Sequence, residues 1–137
     1  RAPSPRIAGM NTCKRCPAIA TVLRWCSSCA ADVADERVGA FVKRRDGACV
    51  VCGVTRELTW AHIYSRRYRR IRWLPSNTVA MCWPDHQYLD THPNEKRAFF
   101  RTNYPGLMDK LDKLKDRAPL PDLAQIIRTY SPERSQA

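Results

Sequence analysis

Seven cysteines, six of them in Cys-x-x-Cys pairs, constrain the possible folds of this chain more than any other feature of its sequence. An odd count suits a complete disulfide framework poorly, whereas two thiolates separated by two residues are a common zinc-binding unit. We therefore expect metal-bound cysteines in a reducing environment, which predicts a cytoplasmic, intracellular protein. With 137 residues, the chain has room for one modest core and a smaller module held together by metal.

The first two pairs are separated by nine residues and predict one structural zinc site. Two short turns allow four sulfur atoms to meet a tetrahedral ion at about 2.3 Å from each sulfur. So short a segment buries too little apolar surface to fold alone, and the metal would supply its stability. The predicted ligands of this first site are Cys13, Cys16, Cys26 and Cys29.

The composition along the chain divides it into four segments. Residues 1–12 predict a flexible basic arm, and residues 13–47 the zinc module with a linking helix from about Ala30 to Arg45. Residues 48–106 hold most of the candidate catalytic, metal-binding and DNA-binding residues. Residues 107–137 predict a helical extension with a frayed tail, because their leucines and isoleucines recur at helical spacing. Such apolar stripes either pack in the core or form a homodimer interface.

The third pair, Cys49 and Cys52, predicts a second structural zinc site that needs two further ligands. Cys82 is the remaining cysteine of the chain. Asp85 stands where a second Cys-x-x-Cys pair would place its last cysteine, and His86 is the competing fourth ligand. If Asp85 completes the site, His86 is left for another ion, so this choice bears directly on function.

Three residues between and beyond these cysteines suggest a catalytic site: His62, Asn77 and His86. His62 lies in a segment with strand-forming neighbours, Asn77 follows the turn signal Pro75-Ser76, and a helix is expected to begin near Pro84. His86 and Asp90 are then four residues apart on one helical face, where a cation can sit between helix and strand. The Asn77 amide is placed to bond across the loop and fix the strand that carries His62.

An arginine-rich segment connects the strand to Asn77. It interleaves five arginines with aromatic side chains, and the whole chain has a net charge of +11 and a pI near 9.8. A guanidinium group can donate two parallel hydrogen bonds to the oxygens of one phosphate, so this segment predicts DNA as a partner. We expect Ile71 and Trp73 to face the core and these arginines to face DNA: Arg66, Arg67, Arg69, Arg70 and Arg72.

Membrane association is not expected from the sequence. No run approaches the roughly 18 apolar residues that span a bilayer, and no signal-peptide pattern is visible.

The order and spacing of the central residues resemble the HNH (ββα-metal) endonucleases. The run Ser65-Arg66, Arg72-Trp73, Asn77 and Cys82-x2-Asp85-His86 is similar to phage-type members, such as the lambdoid NinG (Rap) family of recombination endonucleases. The resemblance covers roughly Cys49 to Gly106. It implies a small, zinc-stabilised α+β fold whose residues 48–106 form a ββα-metal nuclease core, in a phage-encoded protein that acts on branched or phage DNA.

The resemblance also implies the role of each central residue. His62 would be the general base, Asn77 the structural asparagine, and His86 the ligand of the catalytic metal, with Asp90 assisting. One position departs from the pattern, because Ala61 stands where many members place a metal ligand. The expected cofactors are about two structural Zn²⁺ ions and a catalytic Mg²⁺ or Mn²⁺, with other transition metals as alternatives.

Two classes of function therefore remain in contention from the sequence. The first is a metal-dependent endonuclease that hydrolyses DNA to 5′-phosphate and 3′-hydroxyl products. The second is a non-catalytic, zinc-stabilised nucleic-acid-binding protein, which Ala61 and the open question of the fourth zinc ligand both favour. A protein-interaction adaptor that uses the carboxy-terminal helices is a third and weaker reading.

Overall fold

The structure, a computed structural model, describes residues 11–132. The predicted basic arm lies outside the described residues except for Asn11 and Thr12, and so does the predicted frayed tail beyond Pro132. Within the described part, the protein is a small α+β fold, as the sequence predicts. No helix in residues 11–132 is long and apolar enough to cross a membrane.

After the second strand the elements follow one another with short connections, whereas a longer segment joins the two strands. Two single turns of 3₁₀ helix, Arg69–Ile71 and Pro75–Asn77, interrupt the long connection between the strands. In chain order the helices and strands are α1 (Ser27–Asp46), β1 (Leu58–His62), β2 (Thr78–Cys82), α2 (Trp83–Thr91), α3 (Pro93–Asn103), α4 (Leu107–Arg117) and α5 (Leu123–Thr129). The described residues form two compact units, which are residues 11–37 with residues 122–132, and Val38–Pro121.

The second unit is built on an antiparallel pair of strands followed directly by a helix. β1 pairs with β2 in a register that sets Leu58 opposite Cys82 and His62 opposite Thr78. Four of the five β2 residues are buried, and Val79 and Met81, which share one face of the strand, pack in the core. α2 starts immediately after β2, so the residues that begin this helix are fixed by the end of the sheet.

The core of this unit gathers apolar side chains from the strands and from the three helices that follow them. Phe100 of α3 and Leu111 of α4 are fully buried, and Ile71 and Trp73 of the arginine-rich segment are also buried. The inward orientation predicted for Ile71 and Trp73 is therefore confirmed. The buried cluster itself comprises Cys49, Ala61, Ile63, Val79, Met81, Leu89, Phe100, Met108 and Leu111.

The first unit contains the amino-terminal cysteines, the start of α1 and α5. Arg37 Nη1 donates to the carbonyl oxygen of Ile127 at 3.0 Å, which joins α1 to α5 across 90 positions of the sequence. Arg15 forms a two-pronged ion pair with Glu36, with N–O distances of 2.9 and 2.8 Å. The Asp122 side chain accepts from the backbone N–H of Gln125 and so caps the start of α5.

Candidate functional site

The amino-terminal cysteines form a cluster that can hold a metal ion. The sulfur atoms of Cys13, Cys16, Cys26 and Cys29 all lie within 4.8 Å of one another. Cys16 Sγ and Cys26 Sγ are 3.6 Å apart, far beyond a disulfide bond of about 2.05 Å. Four zinc–sulfur bonds of 2.3 Å would set the sulfurs about 3.8 Å apart, so the observed spacing fits a tetrahedral zinc site.

The backbone around Cys13 favours its thiolate, whereas the pKa of Cys16 is raised and hydrogen bonding with Cys26 raises the pKa of Cys29 to about 12. Burial raises the pKa of Cys13, but the backbone N–H groups of Arg15, Cys26 and Cys16 together outweigh it and lower that pKa to about 6. The Arg15 N–H lies 3.4 Å from Cys13 Sγ. Because zinc binds the deprotonated thiol, these donors prepare Cys13 for metal binding.

A second cluster joins Cys49, Cys52, Cys82 and Asp85, whose ligand atoms also lie within 4.8 Å of one another. Cys52 Sγ and Cys82 Sγ are 3.7 Å apart, again close to the edge of a zinc tetrahedron. Asp85 Oδ2 lies 3.3 Å from Cys49 Sγ and 3.1 Å from Cys82 Sγ. Of the two candidates for the fourth position, the geometry therefore places Asp85 in the cluster, while His86 faces elsewhere.

His62 is the last residue of β1, and one hydrogen bond fixes its tautomer. Its Nε2 atom lies 2.9 Å from the carbonyl oxygen of Arg72. Since a carbonyl oxygen only accepts, Nε2 must carry the hydrogen, and neutral His62 has its lone pair on Nδ1. The Trp60 ring packs edge-on against the imidazole, with 4.3 Å between ring centroids. The imidazole is thus held in one orientation with a basic nitrogen on its other side.

Asn77 is fully buried and ties the ends of the arginine-rich segment together. Its Oδ1 accepts from the backbone N–H of Tyr64 at 2.8 Å. Its Nδ2 donates to the carbonyl oxygens of Tyr64 and Ile71, both at 3.1 Å. These bonds cross the loop directly after His62, so Asn77 fixes the end of the strand that carries this histidine.

His86 is oriented by a relay of hydrogen bonds that starts on β2. The Thr59 hydroxyl donates to the carbonyl oxygen of Met81 at 2.7 Å, and therefore accepts from His86 Nδ1–H at 2.8 Å. Neutral His86 then carries its lone pair on Nε2. Asp90 Oδ2 lies 3.2 Å from this nitrogen, one helical turn further along α2. Carboxylate oxygen and imidazole nitrogen together form a donor pair suited to a divalent transition metal.

The surroundings of His86 keep it neutral. Burial lowers its pKa below the ordinary value of 6.5, and nearby Lys96 lowers it further, while Asp90 acts in the opposite direction. Neutral imidazole is the form that binds metals. The pKa shift and the hydrogen-bond relay therefore favour the same state of His86.

The two histidines line one cavity of about 450 Å³. His62 is 7% exposed and contributes to the cavity wall from β1, whereas His86 and Asp90 contribute from α2. The strand and helix thus bring together the residues that the sequence singles out. The full lining consists of Trp60, His62, Ser65, Arg66, His86, Asp90 and Lys96.

The five predicted DNA-contacting arginines divide by position. Arg66 lines the cavity, and Arg67 and Arg69 are exposed beside it in sequence. Arg70 is also exposed, although its Nη1 donates to the carbonyl oxygen of Ala118 at 2.6 Å. Arg72 is half-buried, and its guanidinium lies 4.7 Å from the centre of the Trp73 ring. Arg69 lies over the same ring at 5.1 Å and Arg67 donates to the Tyr68 hydroxyl, so burial alone separates Arg72 from the other four arginines.

Sequence reasoning missed three residues of the cavity wall. Trp60 and Ser65 flank the histidine segment and could have been found from their nearness to His62 in the chain. Lys96 gives no such signal, because it lies on α3, beyond the break at His92 and Pro93. Thr59, which orients His86, also looks like an ordinary strand residue in the sequence.

No protein-family model, curated protein or solved structure matches this chain. The resemblance to the HNH endonucleases therefore stays a prediction from the sequence, and the function is argued from the geometry of the site.

Proposed function

We propose that the protein is a metal-dependent DNA endonuclease of the HNH type, which hydrolyses phosphodiester bonds to 5′-phosphate and 3′-hydroxyl products. One observation supports this most directly: two imidazoles of opposite tautomer line one cavity. His62 has its basic nitrogen at Nδ1 and His86 at Nε2, each fixed by a hydrogen bond on the other ring nitrogen. One imidazole suits proton transfer, and the other suits metal binding.

His62 fits the part of general base. A neutral imidazole with a reference pKa near 6.5 can accept a proton from water at physiological pH. The Arg72 carbonyl stabilises the imidazolium that forms, because it accepts from Nε2–H in both protonation states. Asn77 keeps the end of β1 in place while the proton is transferred.

His86 and Asp90 fit the part of metal ligands. A divalent cation bound there would act as a Lewis acid towards the scissile phosphate and the departing 3′ oxygen. Ala61 is buried in the core cluster and offers no ligand, so Asp90 of α2 supplies the second donor in place of a residue on β1. A nitrogen and a carboxylate oxygen favour Mn²⁺, Co²⁺ or Ni²⁺ at least as well as Mg²⁺.

The surface charge supports DNA as the substrate. The chain has a net charge of +11. Arg66 lines the cavity, and the exposed Arg67 and Arg69 follow it closely in the sequence. Phosphate groups are attracted to such a cluster over several ångströms and are positioned by it. The resemblance to phage recombination endonucleases makes branched DNA the first structured substrate to test.

The three histidines of the chain provide the decisive experiment. Purified protein is incubated with supercoiled and branched DNA and Mg²⁺, Mn²⁺, Co²⁺ or Ni²⁺, alongside the variants His62→Ala, His86→Ala and His92→Ala. We expect the first two to lose cleavage with little change in DNA affinity. His92→Ala should retain cleavage, because His92 is exposed, stacks on Tyr88 and does not line the cavity.

Two results would reject the proposal. Cleavage by His62→Ala would show that another group activates the water. Salt-dependent DNA binding by the wild-type protein, without cleavage in any of the four metals, would favour the non-catalytic nucleic-acid-binding protein instead.

A further inference from the structure

Lys96 is held beside the candidate metal ligands by a chain of short contacts. Its Nζ lies 2.8 Å from Asp90 Oδ1, and the other oxygen of that carboxylate lies 3.2 Å from His86 Nε2. Lys96 is on α3 and reaches the wall of the same cavity as His62 and His86. A positive charge is thus fixed next to the place where a divalent cation would bind.

Cation binding alone does not explain this lysine. An ammonium group beside a metal site repels the metal and competes for its carboxylate ligand. Its side chain is only 18% exposed, so solvent screens this repulsion incompletely. A lysine in this position therefore points to an anion that shares the cavity with the metal.

The hydrogen-bonding capacity of the cavity wall agrees with an anionic ligand. A lysine ammonium has three N–H donors, and within residues 11–132 the structure gives Nζ one acceptor, Asp90. The Ser65 hydroxyl accepts from the backbone N–H of Arg67 at 3.3 Å, so its own hydrogen can be donated. Ser65, Arg66 and Lys96 thus contribute donors to a single cavity.

We propose that Lys96, together with the Ser65 hydroxyl, binds the non-bridging oxygens of the phosphodiester that is cut. This inference rests on the proposed nuclease function and adds the group that holds the scissile phosphate. In the transition state these oxygens gain negative charge, so a fixed ammonium stabilises the transition state more than the bound substrate. Lys96 is then a catalytic residue of the reaction.

A purely structural role for Lys96, as the group that holds Asp90 in place, predicts a different response to metal. If Lys96 only positioned Asp90, its removal would raise the Mn²⁺ concentration needed for half-maximal cleavage. If Lys96 binds phosphate, its removal leaves that concentration unchanged or lowers it, because a competing positive charge has gone. Meanwhile cleavage at saturating Mn²⁺ falls.

The experiment compares Lys96→Gln and Lys96→Arg with Lys110→Gln, which removes the same charge from an exposed position on α4. At saturating Mn²⁺ we expect Lys96→Gln to lower kcat about 100-fold, as loss of one oxyanion donor does. Lys96→Arg should recover at least part of the loss, and Lys110→Gln should stay within twofold of wild type. Zinc content and circular dichroism confirm that each variant is folded.

Unchanged kcat in Lys96→Gln, or a raised Mn²⁺ requirement with full kcat at saturation, would overturn the assignment. Affinity for a short DNA duplex in buffer without divalent ions is measured in parallel. Here Lys96→Gln should weaken binding about tenfold, the size expected for a charged hydrogen bond to phosphate, while Lys110→Gln changes it less than twofold. If wild type binds but does not cleave, the nuclease proposal fails, and this binding difference alone supports or rejects the phosphate subsite.

Discussion

Thr59 provides a sharp test of how the site is organised, because its hydroxyl orients His86 while Thr59 itself does not line the cavity. Thr59→Val replaces the hydroxyl by a methyl group of similar size. Two hydrogen bonds are lost, the 2.8 Å bond from His86 Nδ1–H and the 2.7 Å bond to the Met81 carbonyl. The imidazole can then rotate or adopt the other tautomer, which would turn a protonated nitrogen towards Asp90.

The size of the effect follows from these two bonds. Loss of the partner that orients a metal-binding histidine costs roughly 10- to 100-fold in metal affinity, or about 1.4–2.7 kcal/mol. Unpaired groups left by the valine should also lower the free energy of unfolding by about 1–3 kcal/mol. Thr59→Ser retains the hydroxyl and should stay within about threefold of wild type in metal affinity.

The assay measures the Mn²⁺ concentration for half-maximal DNA cleavage, together with direct Mn²⁺ binding by electron paramagnetic resonance. A urea titration of each variant separates the loss of stability from the loss of metal binding. If Thr59→Val binds Mn²⁺ as tightly as wild type, the relay does not set the His86 tautomer, and the metal-ligand argument fails with it. The exposed Thr91 on α2 offers a control, since Thr91→Val removes a hydroxyl that does not contact His86.

Two further predictions concern the parts of the fold that support the site. Elemental analysis should find about two zinc ions in the wild-type chain, about one in Asp85→Ala and about two in Asp85→Cys. About two zinc ions in Asp85→Ala would contradict the role of this carboxylate as a zinc ligand. Asn77→Ala should lower the free energy of unfolding by about 3 kcal/mol, because it leaves partly buried backbone groups of Tyr64 and the buried carbonyl of Ile71 unpaired. A urea midpoint equal to that of wild type would show that water or a neighbouring group replaces the amide.

The local parts of the fold could be predicted because their signals are short-range. Cys-x-x-Cys turns bring their own sulfurs together, and Cys82 with Asp85 repeats that spacing across the start of α2. The burial of Ile71 and Trp73 among arginines followed from simple polarity. In each case the residues that meet lie within a few positions of one another or share an obvious chemical type.

Contacts between distant elements could not be predicted in the same way. The hydrogen bond from His86 to Thr59 depends on how α2 packs against β1, and a threonine in a strand is too ordinary to reveal it. Lys96 reaches the cavity only because α2 ends at Thr91 and α3 then returns towards it. The apolar stripe of α5 predicted a buried face, but not that Ile127 would be joined to Arg37 of α1.

Consecutive residues at the start of α2 serve different purposes, and the helix itself explains how. Adjacent helical residues are separated by 100° around the axis, so Asp85 and His86 cannot face the same ligand atom. Asp85 points to the thiolates of the second cluster, while His86 points to Thr59 and the cavity. A zinc ion bound by Cys82 and Asp85 would clamp the first turn of α2 to the end of β2. Such a clamp would also fix the direction of His86, so a structural zinc ion would hold the proposed ligand of the catalytic metal in place.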